Sequence, residues 1–203
     1  MARNTGPKTR ISRRYNVFLG GSAKAFERKN YPPGMHGPKG SRRKVSEYAL
    51  ALAEKQKLRH QYGVLEKQFR RYFHIAVSRR GVTGETLLQL LETRVDNLVY
   101  RMGFAKTRQG ARQLVAHGHV LVNGRKLDAA SATLKPGDKI TIKDAANSKR
   151  LAQRNLDQTQ IATVPDWLIV DRDNLAGELT RIPTRDEINP IANEQLVVEL
   201  YSR

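Results

Sequence analysis

Cysteine is absent from this 203-residue chain. Disulfides, thiolate nucleophiles and cysteine-based zinc sites are therefore excluded outright. No apolar run approaches the roughly 20 residues that a membrane span needs, so nothing in the chain reads as crossing a bilayer. The start, MARNTGPKTRISRRYNVFLGG, is basic but lacks the apolar stretch of a secretory signal. There is no phosphate-binding glycine loop of the Walker type, and no nucleophile with a base at recognisable spacing. Acids are also scarce, 19 against 37 lysines and arginines, for a net charge of +18.

The placement of that charge matters more than its total. Residues 1–44 carry twelve Lys/Arg against the single acid Glu27, and residues 45–80 carry eight against three. The tail over 151–203 reverses sign, with five basic residues and nine acidic. A field of this size and asymmetry implies a polyanionic partner, because self-repulsion is otherwise a cost without a return. An anionic membrane would favour a basic amphipathic helix with a bulky apolar face. Residues 1–44 are rich in Gly, Pro and Arg instead, which favours nucleic acid.

The first 44 residues show no sustained period, and YPPGMHGPKGSRRK at 31–44 piles up helix and strand breakers. They read as a basic irregular arm that orders against its partner. Ser46 with Glu47 predicts a capped helix over about 47–60. From Leu65, the positions Phe69, Tyr72, Phe73 and Ala76 form one face of a second helix. Leu87, Leu91, Val95, Leu98 and Met102 continue a helical stripe, with room for one bend, to Gly103. Thr107 opens a short helix with Ala111, Leu114 and Val115 inward. Next come a strand from Val120, a hairpin turn at Asn123-Gly124 and a further strand at 139–143. Residues 144–160 read as a polar link, WLIV at 167–170 as a strand, and NEQLVVELYSR as a helix capped by Asn193. In that helix Leu196, Val197, Val198, Leu200 and Tyr201 pack inward, and Glu194 and Glu199 stay outside. The expected class is α+β. A helical domain over 45–91, completed by 172–203, follows the arm, and a compact domain of two short helices on a small antiparallel sheet spans 92–171.

Between Tyr100 and Leu127 there is no acid, and the stretch holds Arg101, Lys106, Arg108, Arg112, Arg125 and Lys126. Arg108 and Arg112 share a helix face, and Arg94, Asn97 and Arg101 recur opposite the apolar stripe of the preceding helix. Two guanidinium rows on one outer surface are expected, a rigid platform suited to folded RNA. His117 and His119 bracket Gly118 with no third ligand nearby, so they do not read as a metal pair.

The run LLETRVDNLVYRMGFAKTRQGARQLVAHGHVLVNGRK closely resembles the RNA-binding module of the S-four family of small-subunit ribosomal proteins. MARNTGPKTRISRR, EKQKLRHQYGVLEKQFRRYF and NEQLVVELYSR resemble the same family, so the likeness covers nearly the whole chain. It implies a non-enzymatic constituent of the cytoplasmic (or organellar) small subunit that binds ribosomal RNA early in assembly. The implied RNA-binding set is Arg3, Lys8, Arg10, Arg13, Arg14, Arg94, Asn97, Arg101, Lys106, Thr107, Arg108, Arg112, Asn123, Arg125 and Lys126. After the turn Pro33-Gly34-Met35-His36-Gly37, the residues Lys39, Arg42, Arg43 and Lys44 are the implied contacts at the mRNA entrance. Asp186, Glu187, Glu199 and Tyr201 are the implied interface to ribosomal protein S-five, through which decoding accuracy is influenced. Some family members hold zinc through N-terminal cysteines; without cysteine, no cofactor is expected here. Neither a membrane nor a small-molecule substrate is expected as a partner.

Overall fold

A computed structural model describes residues 5–39, 44–159 and 164–202. Arg3, Arg42 and Arg43 lie outside the described residues. The chain divides into two compact units, one built from residues 1–87 and 189–203 and the other from residues 88–188.

The first unit is helical: α1 (Lys8–Tyr15), α2 (Ala23–Arg28), α3 (Glu47–Gln61), α4 (Glu66–Ser78), the start of α5 (Thr83–Glu92), and α10 (Glu194–Ser202). Helix α3 begins where expected, with the Ser46 hydroxyl accepting from Ala49 N–H. On α4 the four stripe residues Phe69, Tyr72, Phe73 and Ala76 are all buried, while Lys67, Arg70 and Arg71 are exposed. Helix α10 packs on α3, and its start is tied there by Asn193 N–H donating to Glu54 Oε2 at 3.0 Å. Asn193 caps it, its side-chain oxygen accepting from Gln195 N–H at 2.9 Å. Val197 is buried as expected, but Glu194, expected outside, is buried as well, because its stem lies over Gly84 where a β-carbon would collide.

The arm is not irregular throughout. Helices α1 and α2 form although they bury almost no apolar surface, because polar contacts replace a core. The buried Ser12 hydroxyl accepts from Leu19 N–H and donates to Gly20 C=O. Arg13 Nε donates to the carbonyls of Lys29 and Tyr31, both at 3.0 Å, and its guanidinium lies 4.7 Å from the Tyr31 ring. No apolar period announces such a device. The turn before the arm's end closes through Gly37 N–H on Gly34 C=O, and a β-carbon at Gly37 would strike Pro32 C=O. That position admits only glycine.

In the second unit, α6 (Val95–Arg101), α7 (Arg108–Ala116) and α8 (Ala146–Gln158) share a core with one antiparallel sheet, and the short α9 (Arg185–Ile188) ends the unit. Its strands are β1 (Val120–Val122), β2 (Arg125–Lys126), β3 (Lys139–Ile142), β4 (Leu168–Asp171) and β5 (Ala176–Leu179), in the order β2-β1-β3-β5-β4. The core joins Val95 and Leu98 of α6, Met102 at its C-cap, and Ala111, Leu114 and Val115 of α7 to Val120, Ile140, Leu179 and Trp167. The bend in the predicted stripe is real: α5 and α6 break at Thr93-Arg94, where Val95 N–H and Asp96 N–H turn to the carbonyls of Ala132 and Ala130.

Two expectations about the elements of this unit fail. The polar link at 144–160 is largely helix α8, whose buried positions are Ser148, Ala152 and Leu156. That i, i+4, i+8 row is helical, but a serine and an alanine give no apolar signal. Residues 172–188, assigned with the C-terminal segment, belong instead to the sheet unit, because β5 inserts between β3 and β4. Its sequence AGEL hides a central strand. Gly177 is there because a β-carbon would come within 2.6 Å of Met102 Sδ.

Candidate nucleic-acid interface

Helix α7 is stopped at both ends by its sequence. Thr107 caps the start, its hydroxyl accepting from Gly110 N–H at 3.0 Å. Gly118, at φ +72°, ends it, with His119 N–H returning to Leu114 C=O and Gly118 N–H to Val115 C=O, the paired bonds of a Schellman motif. The chain then enters β1 and turns at Asn123-Gly124, both at positive φ (49° and 77°), as a type I′ hairpin requires. Asn123 is committed to this corner: its amide donates to Asp138 Oδ1 and accepts from Lys139 N–H. Thr107 and Asn123 therefore shape the site.

Lys106, Arg125 and Lys126 are exposed, and Arg108 and Arg112 are half-buried. The second row, by contrast, is mostly drawn inward, although the Arg101 side chain stays 26% exposed. Arg94 is 1% exposed and grips Asp96 with Nε at 2.9 Å and Nη2 at 2.5 Å. Asn97, also 1% exposed, donates its side-chain amide to the Glu92 carboxylate at 2.6 Å and to its carbonyl at 3.0 Å. Arg101 forks onto the same carboxylate, through Nε at 3.1 Å and Nη2 at 2.8 Å. Glu92 and Asp96, just upstream of the acid-free stretch, draw these side chains inward. They are the missed signal: an acid immediately before a short helix and another within its first turn draw the helix's own cations inward.

The two rows are nonetheless connected. Arg108 Nε donates to Asn97 Oδ1 at 2.8 Å and its guanidinium lies 4.6 Å from the Tyr100 ring. Arg112 Nη1 is 3.6 Å from Asp96 Oδ2. His119 Nδ1 is 2.9 Å from the Ser148 hydroxyl. Among the described residues no cluster of His, Asp and Glu is arranged to hold a metal ion.

The arm supplies a second basic surface. Arg10 and Arg14 are exposed and Lys8 half-buried. Arg13 spends its Nε donor on the arm's own carbonyls. A pocket between α1 and α2 is lined by Arg13 together with Lys24, Arg28 and Lys29, three cations that no sequence period singles out. Lys39 and Lys44 are exposed.

The four residues expected to face a protein partner fall in different units and differ in character. Asp186 and Glu199 are exposed. Glu187 is bound by Arg181 and Thr184 N–H, which hold its carboxyl down at about 2. Tyr201 is largely internal: its ring stacks on Phe73 at 4.6 Å and its hydroxyl donates to Glu66 Oε1 at 2.8 Å. Burial followed by that hydrogen bond holds the phenol above its ordinary value. Burial pushes the Glu66 carboxyl up, but hydrogen bonds from Lys55 and Tyr201 outweigh it and leave the group below its usual range.

A helix pair with a Schellman corner, a tight hairpin and an outward cationic face is the architecture of an S4-type RNA-binding module. The profile described as the S4 domain matches residues 93–140, and that of the ribosomal protein S4/S9 N-terminal domain matches residues 3–92. The chain is 58% identical to the small ribosomal subunit protein uS4 of Akkermansia muciniphila and 57% identical to that of Opitutus terrae, across the full length of both partners in each case. A relative of the same name from Persephonella marina is 50% identical, again over the full length. The chain belongs to the uS4 family, whose members are ribosomal structural proteins and not enzymes.

Proposed function

We propose that this chain is a constituent of the small ribosomal subunit that binds its RNA directly and early, nucleating assembly of the 5′ domain in the cytoplasm. The observation that carries this is the rigid α7–hairpin corner, which presents Lys106, Arg108, Arg112, Arg125 and Lys126 without an intervening acid. Such a surface recognises phosphate positions on a folded RNA rather than base edges in a groove. Arg10 and Arg14 of the arm, with Lys24, Arg28 and Lys29, extend the contact. Lys39, Arg42, Arg43 and Lys44 serve the channel by which mRNA enters. The exposed acids Asp186 and Glu199 avoid phosphate, because like charges repel at close quarters, and suit the interface to S-five that influences accuracy.

Footprinting the purified protein on naked small-subunit ribosomal RNA tests the core of this function, the expected result being protection confined to one junction of the 5′ domain. Removing residues 1–44 should flatten the salt dependence of binding, each lost phosphate contact changing the slope by about 0.7–0.9. Diffuse protection with an unchanged slope would contradict it.

A further inference from the structure

The fully buried carboxylate of Glu92 performs a task that stability alone does not explain. A buried ion pair is often no more stabilising than apolar side chains of similar volume. Here the carboxylate holds two groups at once, Arg101 by a two-bond fork and Asn97 by its amide nitrogen. The Asn97 amide also donates to the Glu92 backbone carbonyl. Both contacts demand a nitrogen, because turning the amide over would set its oxygen against a carboxylate and a carbonyl. Its oxygen is thereby pointed the other way, where it accepts from Arg108 Nε at 2.8 Å. A guanidinium is planar and rigid, so fixing Nε on one side and the Tyr100 ring at 4.6 Å fixes the plane of the whole fork.

We propose that Glu92 is a positioning residue for RNA binding, which pre-sets the half-exposed Arg108 fork through the Asn97 amide. This rests on the RNA-binding function proposed above and names the device that gives its platform a defined geometry. A fork already held in its binding pose loses less freedom when a phosphate arrives. Glu92 touches no RNA; it acts on the Arg108 fork through Asn97.

A mutant cycle on the full-length protein tests it, with small-subunit ribosomal RNA as ligand, binding measured across a salt series and folding followed by circular dichroism. Glu92→Gln should weaken binding about three- to tenfold when Arg108 is present, and by less than about twofold in an Arg108→Ala background. The salt slope of Glu92→Gln should match that of the unmodified protein, because no phosphate contact is lost, while Arg108→Ala should flatten it. A role in stability alone would give equal losses in both backgrounds, or a lower melting temperature with affinity intact, and either result overturns the proposal. If Glu92→Gln does not fold, Asn97→Ser breaks the relay while sparing the Glu92–Arg101 fork, and the same cycle decides. Should Arg108→Ala and a combined Arg125→Ala, Lys126→Ala variant both bind normally, the RNA platform itself is refuted. Should Arg108→Ala weaken binding while the cycle stays additive, only the positioning role falls.

Discussion

Replacing Arg94 with alanine separates two accounts of one residue. As a member of the outward cationic row it would bind RNA; in the structure it is an internal cation closed on Asp96, with 1% of its surface exposed. Truncation leaves the Asp96 carboxylate buried, and removing one partner of such a pair costs about 3–5 kcal/mol. Arg112, 3.6 Å from the same carboxylate, offers partial compensation, which places the loss near the low end, about 3 kcal/mol. In a unit of this size that lowers the melting midpoint by roughly 12–24 °C. The site also anchors the α5–α6 break, so the loss should fall on the transition of the sheet unit. A thermal melt by calorimetry measures it, with Arg94→Met combined with Asp96→Leu as the control that removes both charges and should melt close to the unmodified protein. If Arg94→Ala melted within about 2 °C of the unmodified protein while its affinity for ribosomal RNA fell, the internal role would be refuted.

Three further outcomes are expected. Arg13→Lys should open the arm, because an ammonium cannot reach the carbonyls of Lys29 and Tyr31 while covering the Tyr31 ring; a loss of about 2 kcal/mol should appear as faster amide exchange in α1 and α2, with α4 unchanged. His60 is held from its ordinary 6.5 down to about 4, by burial first and then by Arg59, Lys8 and Arg14. The unfolded chain therefore takes the proton first, so stability is constant above 6.5 and falls as the pH drops toward 4; melting across that window should show the fall, and His60→Gln should shrink it. Gly177→Ala should cost about 1–3 kcal/mol by overpacking against Met102, and a denaturant midpoint equal to that of the unmodified protein would show that α6 has room to retreat.

The elements readable in advance are those whose signal is local. Ser46, Thr107 and Asn193 announce helix starts through their own side chains, and Asn123-Gly124 announces its turn by a backbone demand few other pairs meet. What escaped depends on partners distant in sequence. Helix α8 is recognisable only once Ser148 faces His119 and Asn155 donates to Phe104 C=O. Strand β5 is recognisable only once α6 leaves no room for a side chain at Gly177. The same holds for the site. Arg125 and Lys126 were correctly placed on the surface because a two-residue strand after a tight turn has nowhere else to go. Helical spacing misplaces Arg94 and Asn97, because it gives the direction of a side chain, whereas a neighbouring carboxylate decides whether that direction ends in solvent.

The division of the helical unit between residues 1–87 and 189–203 has a consequence for the order of synthesis. Every residue of the sheet unit is translated before α10 exists, so that unit can close on the nascent chain while α3 still lacks the helix that packs against it. Until then the Phe73 ring has no Tyr201 above it and Glu66 no phenol to bind. The corner of α7 and its hairpin can thus reach its final form before the helical unit is completed, when Asn193 meets Glu54. A chain halted after Ile188 would carry a finished sheet unit and an unfinished helical one.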